Sequence, residues 1–228
     1  MARVRKQPIG LLSGTVADVI FKKRGNKFYA SSKPAPYVPG TDAASIKRRD
    51  QGAFVGKISK HIYSVGIIKE LWKKKTVDKS YTYQKIWSEN YKAADCNNLN
   101  QPVKLGPELG FILKNPVITL EESSLLIKTD ALGSNSGINL TINKFIQAVG
   151  VIILKDPSSD RSDYLNFLPF TSEKQLLNTE SEINMTIKFS GAVESLYKLY
   201  TTRKCHLIFI TSDENGNPVD HSETVVSI

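Results

Sequence analysis

Cysteine is scarce in this sequence, which has only Cys96 and Cys205 among its 228 residues. Neither cysteine belongs to a Cys-x-x-Cys pair, so the spacing excludes the usual zinc-binding patterns, and we predict no metal site. The interpretation we favour is two buried or half-buried thiols in a reducing compartment. A disulfide between the two cysteines is the alternative.

Long apolar runs are also missing, since no stretch approaches the roughly 18 residues that span a bilayer. The charged start Met1–Lys6 could pass for the beginning of a signal peptide, but Ile9–Leu12 is too short for its apolar part and soon meets Asp18. We therefore expect no secretory signal and no membrane partner. The hydrophobic content of 40% is typical of a soluble globular protein, and the length suffices for one large domain or two small ones.

The three histidines, His61, His206 and His221, show no metal-binding spacing such as His-x-x-x-His. Asp220 and Ser222 flank His221, but adjacent side chains on a strand point to opposite faces, so these residues do not form a catalytic triad.

Phosphate-binding and calcium-binding loops are missing as well. Residues 10–14 lack the Gly-Lys-Ser/Thr of a phosphate-binding loop, and the acidic turn 156–163 lacks the ligand spacing of a calcium loop. We predict no catalytic residue, no cofactor and no enzymatic activity; a hydrolase is the least favoured class because no nucleophile lies beside a base.

Positive charge, in contrast, is concentrated in the first third of the chain. Residues 1–75 contain 17 Lys/Arg against 4 Asp/Glu, a net charge of +13, whereas the remaining 153 residues contain 14 against 18, a net charge of −4. Such asymmetry indicates an anionic partner: nucleic acid, an acidic protein surface or anionic lipid. A solvated basic face without a partner is the alternative.

The first 40 residues predict a basic arm that contains a β-hairpin. Thr15–Phe21 is β-branched and apolar, and Lys27–Ser31 reads as the return strand after a turn at Gly25 and Asn26. Residues 33–40 contain three prolines, which favour an extended segment.

Residues 41–100 predict a helical region. Thr41 or Asp42 is a suitable N-cap, and apolar residues recur every three or four positions from about residue 43 to 74, with a possible break near Gly66. A shorter helix is expected from Ser80 to about Asp95. Its aromatic stripe of Tyr83, Trp87 and Tyr91 we interpret as a packing surface, with a base-stacking or carbohydrate platform as the alternative.

Residues 101–228 predict short strands separated by turns, which is the pattern of an immunoglobulin-like antiparallel β-sandwich. Gly191–Tyr200 is read as either a strand or a short helix. The fold class is therefore α+β: a basic arm with a hairpin, then helices, then the sandwich. The expected strands are Val117–Leu120, Leu125–Thr129, Ile138–Ile142, Phe145–Leu154, Ile183–Phe189, His206–Thr211 and Glu223–Ser227.

Ten basic residues are the candidates for contact with a polyanion or a protein partner, because Lys and Arg neutralise phosphates and aromatic residues interleave with them. They are Arg3, Arg5, Lys6, Lys22, Lys23, Arg24, Lys27, Lys47, Arg48 and Arg49.

A recognisable pattern runs through residues 1–50 after the basic start: Gly10, Ser13, Gly14, Val16, Gly25, Lys27, Tyr29, Ser32, Pro34, Thr41, Ala43 and Arg48. It resembles a family of uncharacterised proteins from Bacteroidota and their phages. The resemblance covers about a fifth of the chain. It implies a basic N-terminal module followed by an immunoglobulin-like domain, and it implies no catalytic residues. The Ser-x-Ser-x-Tyr ending associated with the family is reduced here to Ser222 and Ser227.

The leading hypothesis is a non-enzymatic structural protein of a tailed-phage virion, in the neck, tail or portal-proximal ring. It would be a homo-oligomer that contacts other virion proteins, and DNA is an alternative partner of the basic arm. The second hypothesis is a nucleic-acid-binding protein, with a cytoplasmic location as the alternative to the virion. A bacterial surface protein is less favoured because no signal peptide is expected.

Overall fold

The computed structural model describes residues 2–3, 14–16, 19–24, 27–34, 38–76, 81–107, 110–158 and 164–227. The chain divides into two compact units, Met1–Ile46 and Lys47–Ile228. The fold is α+β, as the sequence predicted. Across the described residues the helices are α1 (Ala43–Ser64), α2 (Gly66–Lys75), α3 (Thr82–Ala93) and α4 (Gly191–Lys198).

The strands of the described residues form three antiparallel sheets. They are β1 (Ala2–Arg3), β2 (Gly14–Val16), β3 (Val19–Arg24), β4 (Lys27–Ser32), β5 (Val117–Leu120), β6 (Ser124–Thr129), β7 (Phe145–Pro157), β8 (Leu165–Thr171), β9 (Gln175–Leu176), β10 (Ile183–Lys188), β11 (Tyr200–Ser212), β12 (Pro218–His221) and β13 (Val225–Val226).

The first unit contains a four-stranded sheet in the order β1-β4-β3-β2. The predicted hairpin is confirmed, because Arg24 pairs with Lys27 across the two-residue connection. The single strand predicted over residues 15–21 is wrong, since Val16 pairs with Val19 and the segment is itself a hairpin of β2 and β3. The connecting residues include an aspartate, which strands disfavour and turns accept.

The helical predictions are confirmed at both ends of the first long helix. The Asp42 carboxylate accepts a hydrogen bond from the Ser45 backbone N–H at 2.9 Å, so Asp42 caps α1. Val65 is extended, with φ −78° and ψ 108°, and it separates α1 from α2 beside Gly66. Phe54, Ile58 and Ile62 form the buried face of α1, as their spacing predicted.

The largest sheet has the order β12-β11-β7-β8, with β13 on β11 and β9 on β7. Its two central strands are 13 residues long. Strand β7 is almost continuously apolar, as expected for a strand covered on both faces. Pro169 lies in β8, which ends the β12-β11-β7-β8 order, and proline is tolerated at such a position because it donates no ladder hydrogen bond.

Both faces of this large sheet are covered. On one face Val149, Val151 and Ile153 share a core with the buried side chains of α1, α2 and α3. On the other face Ile152 and Leu154 share a second core with β6 and β10, which belong to the small sheet β10-β6-β5. Residues 47–228 therefore form three layers: helices, the large sheet and the small sheet.

The immunoglobulin-like sandwich is not confirmed. Two sheets do share a core, but helices cover the other face of the large sheet, because its central strands are apolar on both sides. The compact unit 47–228 therefore runs across residue 100, where the sequence suggested the end of a helical region.

Two local predictions have opposite outcomes. The strand predicted over residues 138–142 is wrong, because the Asn139 side-chain oxygen accepts a hydrogen bond from the Thr141 N–H at 2.9 Å, and the Asn139 carbonyl accepts one from Asn143 N–H at 2.9 Å. Asparagine side chains often capture the backbone in this way and form turns. For residues 191–200 the helical alternative is the correct one, and α4 occupies most of the segment.

Candidate polyanion-binding surface

The basic hairpin of the first unit contains four of the predicted contact residues. Lys22, Lys23 and Arg24 are consecutive in β3, and Lys27 opens β4 opposite Arg24. The Lys22 side chain is exposed, and its cross-strand neighbour Tyr29 is half-buried. The antiparallel register therefore places four basic residues at one end of a regular hairpin.

The remaining predicted residues of the arm have different outcomes. Arg3 lies in β1, opposite Tyr29 of β4, so the backbone of the arm is part of the sheet there. Arg5 and Lys6 lie outside the described residues.

A second basic group follows the first turn of α1, where Lys47, Arg48 and Arg49 are all exposed. Hydrogen bonds from the Ser45 hydroxyl and backbone N–H lower the pKa of Asp42, which keeps a negative cap at the start of the helix. Cations are less favourable near the positive N-terminal end of a helix than near its C-terminal end. The helix dipole therefore does not explain why these three residues are basic.

The lysines at the end of α2 differ from the basic group of α1, because the helix dipole explains why basic residues occur there. Lys73, Lys74 and Lys75 lie in the last turn, where the dipole favours cations. Lys73 also pairs with Glu70 at 2.7 Å, and the Lys74 ammonium donates to the Pro218 carbonyl. These lysines stabilise the fold, and the exposed cations of α1, which include Lys57 and Lys60, are better candidates for a partner.

The aromatic stripe of α3 packs against α1. The Tyr83 hydroxyl donates to the Gly56 carbonyl at 3.3 Å, and its ring meets Tyr63 edge-on at 5.9 Å. Trp87 and Tyr91 stack on each other at 5.0 Å and contact the helical core while remaining half-exposed. The packing interpretation of this stripe is therefore confirmed.

A cavity of about 420 Å³ opens beside α1, and the sequence did not indicate it. It lies between α1, the turn after α3, and the ends of β7 and β8. Lys155 directly follows the apolar run that predicted a strand over residues 145–154, and Tyr164 directly follows the acidic turn 156–163, so neither spacing pointed to a shared site. Its lining residues are Asp50, Ala53, Phe54, Lys57, Cys96, Asn97, Lys155, Tyr164 and Leu165.

The histidines and cysteines lie in separate places. His61 stacks on Phe167 at 5.4 Å, and burial together with Lys60 lowers the pKa of His61. His206 is fully buried in β11. Both cysteines are free thiols, and burial raises the pKa of each. Within the part of the chain that the structure describes, no three His, Cys, Asp or Glu residues are grouped to hold a metal ion.

No protein-family model matches the chain, and no curated protein sequence matches it either. The described helices include none that is both long enough and apolar enough to cross a bilayer.

Proposed function

We propose that the protein is a non-enzymatic structural component of a tailed-phage particle, in the neck, tail or portal-proximal ring. It acts as a homo-oligomer, and its basic N-terminal module contacts neighbouring subunits, other virion proteins or DNA. The observation that carries the proposal is that the basic arm is a compact unit with its own sheet. This unit, residues 1–46, has 8 Lys/Arg and 2 Asp/Glu, a net charge of +6.

The form of this unit supports an assembly role over a loosely attached cationic tail. A disordered tail attracts any polyanion, whereas paired strands fix the spacing of Lys22, Lys23 and Arg24 and suit a partner of defined shape. The body adds a sheet whose two central strands are buried on both faces, which suits a rigid building block. The resemblance of residues 1–50 to proteins of Bacteroidota and their phages supports a virion location.

The test compares the wild type with a hairpin variant that carries Lys22→Glu, Lys23→Glu and Arg24→Glu. We expect light scattering after gel filtration to show a defined oligomer for the wild type. The variant should dissociate, because its glutamates repel the anionic surface that Lys22, Lys23 and Arg24 contact in the wild type. A matched control changes three exposed lysines of the body, Lys92, Lys114 and Lys188, to Glu. A wild-type protein that is monomeric and absent from purified particles by mass spectrometry contradicts the proposal.

The second candidate function is nucleic-acid binding, with the basic hairpin and α1 on the phosphates. The exposed Lys22 of the hairpin and the exposed basic residues of α1 favour it. Its affinity for DNA should fall steeply with salt, with a logarithmic slope of about −0.9 for each phosphate neutralised. The hairpin variant should bind more weakly and show a smaller slope than the body control. A flat salt dependence, or equal affinities of the two variants, contradicts this function.

A further inference from the structure

The cavity beside α1 joins three separate parts of the second unit. Lys57 comes from α1, Asn97 from the turn after α3, Lys155 from the end of β7, and Tyr164 from the position directly before β8. Its volume of about 420 Å³ lies within the range of small-molecule sites. The buried Phe54 and the half-buried Leu165 contribute an apolar lining. A cavity with an apolar lining and a few convergent polar groups is the usual form of a ligand site.

Two lysines give this cavity the chemistry of an anion site. Lys57 and Lys155 line it from different elements, and neither forms an ion pair with another described residue. Asp50 is the one carboxylate among the described lining residues, so the charged side chains of these residues sum to a net positive charge. The hydrogen bond from Tyr164 and the charge of Lys155 lower the pKa of the neighbouring Asp156. The two lysines nevertheless outnumber Asp50 in the lining, and this balance favours an anionic ligand such as a phosphate.

An aromatic ring lies beside these lysines and is held in place. The Tyr164 hydroxyl donates to the Asp156 carboxylate, which also accepts a hydrogen bond from the Thr202 hydroxyl at 2.9 Å. The Lys155 ammonium lies 5.5 Å from the centroid of the Tyr164 ring. The Tyr164 side chain is nevertheless 58% exposed, so the fixed ring remains accessible. Such a ring is a platform on which a nucleobase stacks.

We propose that this cavity binds a nucleoside monophosphate unit, either as a free nucleotide or as part of a single-stranded nucleic acid. Lys57 and Lys155 hold the phosphate, Tyr164 stacks on the base, and the Asn97 amide pairs with the polar edge of the base. The inference does not depend on the assembly role, because a protein that stays monomeric can still bind a nucleotide here.

Cys96 provides the readout, because it lines the cavity and is half-buried, whereas Cys205 is fully buried in the core. The purified full-length protein is treated with iodoacetamide at mildly alkaline pH, since burial and nearby aspartates raise the pKa of Cys96. We expect adenosine monophosphate to slow the alkylation of Cys96 more than adenosine or inorganic phosphate does at equal concentration. Cys205 remains unmodified throughout and reports that the fold is intact.

The source of the nucleotide is decided by a second probe, a short thymidine oligonucleotide. If the oligonucleotide protects Cys96 at a lower concentration than adenosine monophosphate does, the site binds a nucleic-acid strand. If only the mononucleotide protects Cys96, the site binds a free nucleotide. Isothermal titration calorimetry with the same compounds gives the affinities. No protection and no binding heat with any probe at millimolar concentration overturns the proposal.

The variants separate this cavity from general electrostatic attraction. Lys57→Gln and Lys155→Gln should each weaken binding about tenfold, the usual loss for a charge-assisted hydrogen bond. Tyr164→Leu should weaken it about tenfold through lost stacking. Lys60→Gln is the matched control, because Lys60 is exposed on the same helix but does not line the cavity. An equal loss in the Lys60 variant overturns the proposal.

Discussion

At the scale of single residues, His206 is the buried group whose charge matters most to the fold. Its Nδ1 accepts a hydrogen bond from the Val103 backbone N–H at 3.4 Å, so the neutral ring carries its proton on Nε2. Burial lowers the pKa of His206 to about 4, and its effect is larger than that of a backbone hydrogen bond to Leu99, which raises this pKa. Protonation would place a poorly solvated charge in the core and remove the acceptor that the Val103 N–H uses.

This burial predicts a specific loss of stability in acid. The unfolded chain protonates His206 below its ordinary pKa of 6.5, while the folded protein does so only near pH 4. The stabilisation is therefore complete above pH 6.5 and is lost as the pH falls towards 4. We expect a loss of about 2 to 3 kcal/mol in the free energy of unfolding through this residue.

Urea unfolding of the wild type and of His206→Asn, at about pH 7.5 and about pH 4.5, measures the loss. The wild type should lose more stability between the two pH values than the variant does. His61→Gln is the control, and it should retain most of the wild-type pH dependence. Equal losses in the wild type and in His206→Asn would show that His206 does not titrate as its burial requires.

At the scale of elements, α3 is attached to the rest of the second unit through polar contacts as well as apolar ones. The buried Asn90 side chain donates to the carbonyls of Ile86 and Lys104, both at 3.0 Å, and it accepts from the Lys104 N–H at 2.8 Å. Glu89 pairs with Lys104 and Lys85 at 3.0 Å each, and hydrogen bonds from these two lysines lower the pKa of Glu89 to about 2. Asn90 thus gives the Lys104 backbone the partners that a neighbouring strand would otherwise supply.

Replacing this side chain should loosen α3. We expect Asn90→Ala to lower the free energy of unfolding by about 3 kcal/mol, because the Lys104 N–H and carbonyl are left without partners. Ser88→Ala on the same helix is the control and should change stability by less than about 0.5 kcal/mol, since the Ser88 hydroxyl donates to the Lys85 carbonyl of its own helix. Chemical denaturation measures both variants, and similar stabilities would mean that the apolar contacts alone hold α3.

At the scale of the whole molecule, the large sheet depends on both of its covering layers. Removing the helices would expose Val149, Val151 and Ile153 of β7, together with Ile208 and Ile210 of β11. An apolar patch of this kind on a sheet promotes aggregation.

We therefore expect residues 47–228 to fold, and residues 101–228 alone to aggregate or to bind a hydrophobic dye. Dye fluorescence and the dispersion of amide proton resonances compare the two fragments. A well-dispersed spectrum from residues 101–228 would show that the small sheet alone can stabilise the large one.

The sequence by itself determined the features that depend on spacing along the chain. The apolar repeat of α1, the break beside Gly66 and the apolar run of β7 predicted those elements, because helix and strand periods are local properties. The concentration of positive charge before residue 75 was equally direct, and it gave the basic hairpin and the Lys47–Arg49 group.

Only the tertiary structure decided what these elements cover. An apolar run such as β7 shows that a strand is buried, but it does not show whether a sheet or a helix lies on each face, because both bury the same side chains. The turn at Asn139 depends on a side chain that competes with strand pairing, a choice that apolar spacing does not reveal. The cavity beside α1 was hidden for a related reason: Lys57 and Lys155 are far apart in sequence, and only packing of α1 against the end of β7 brings them together.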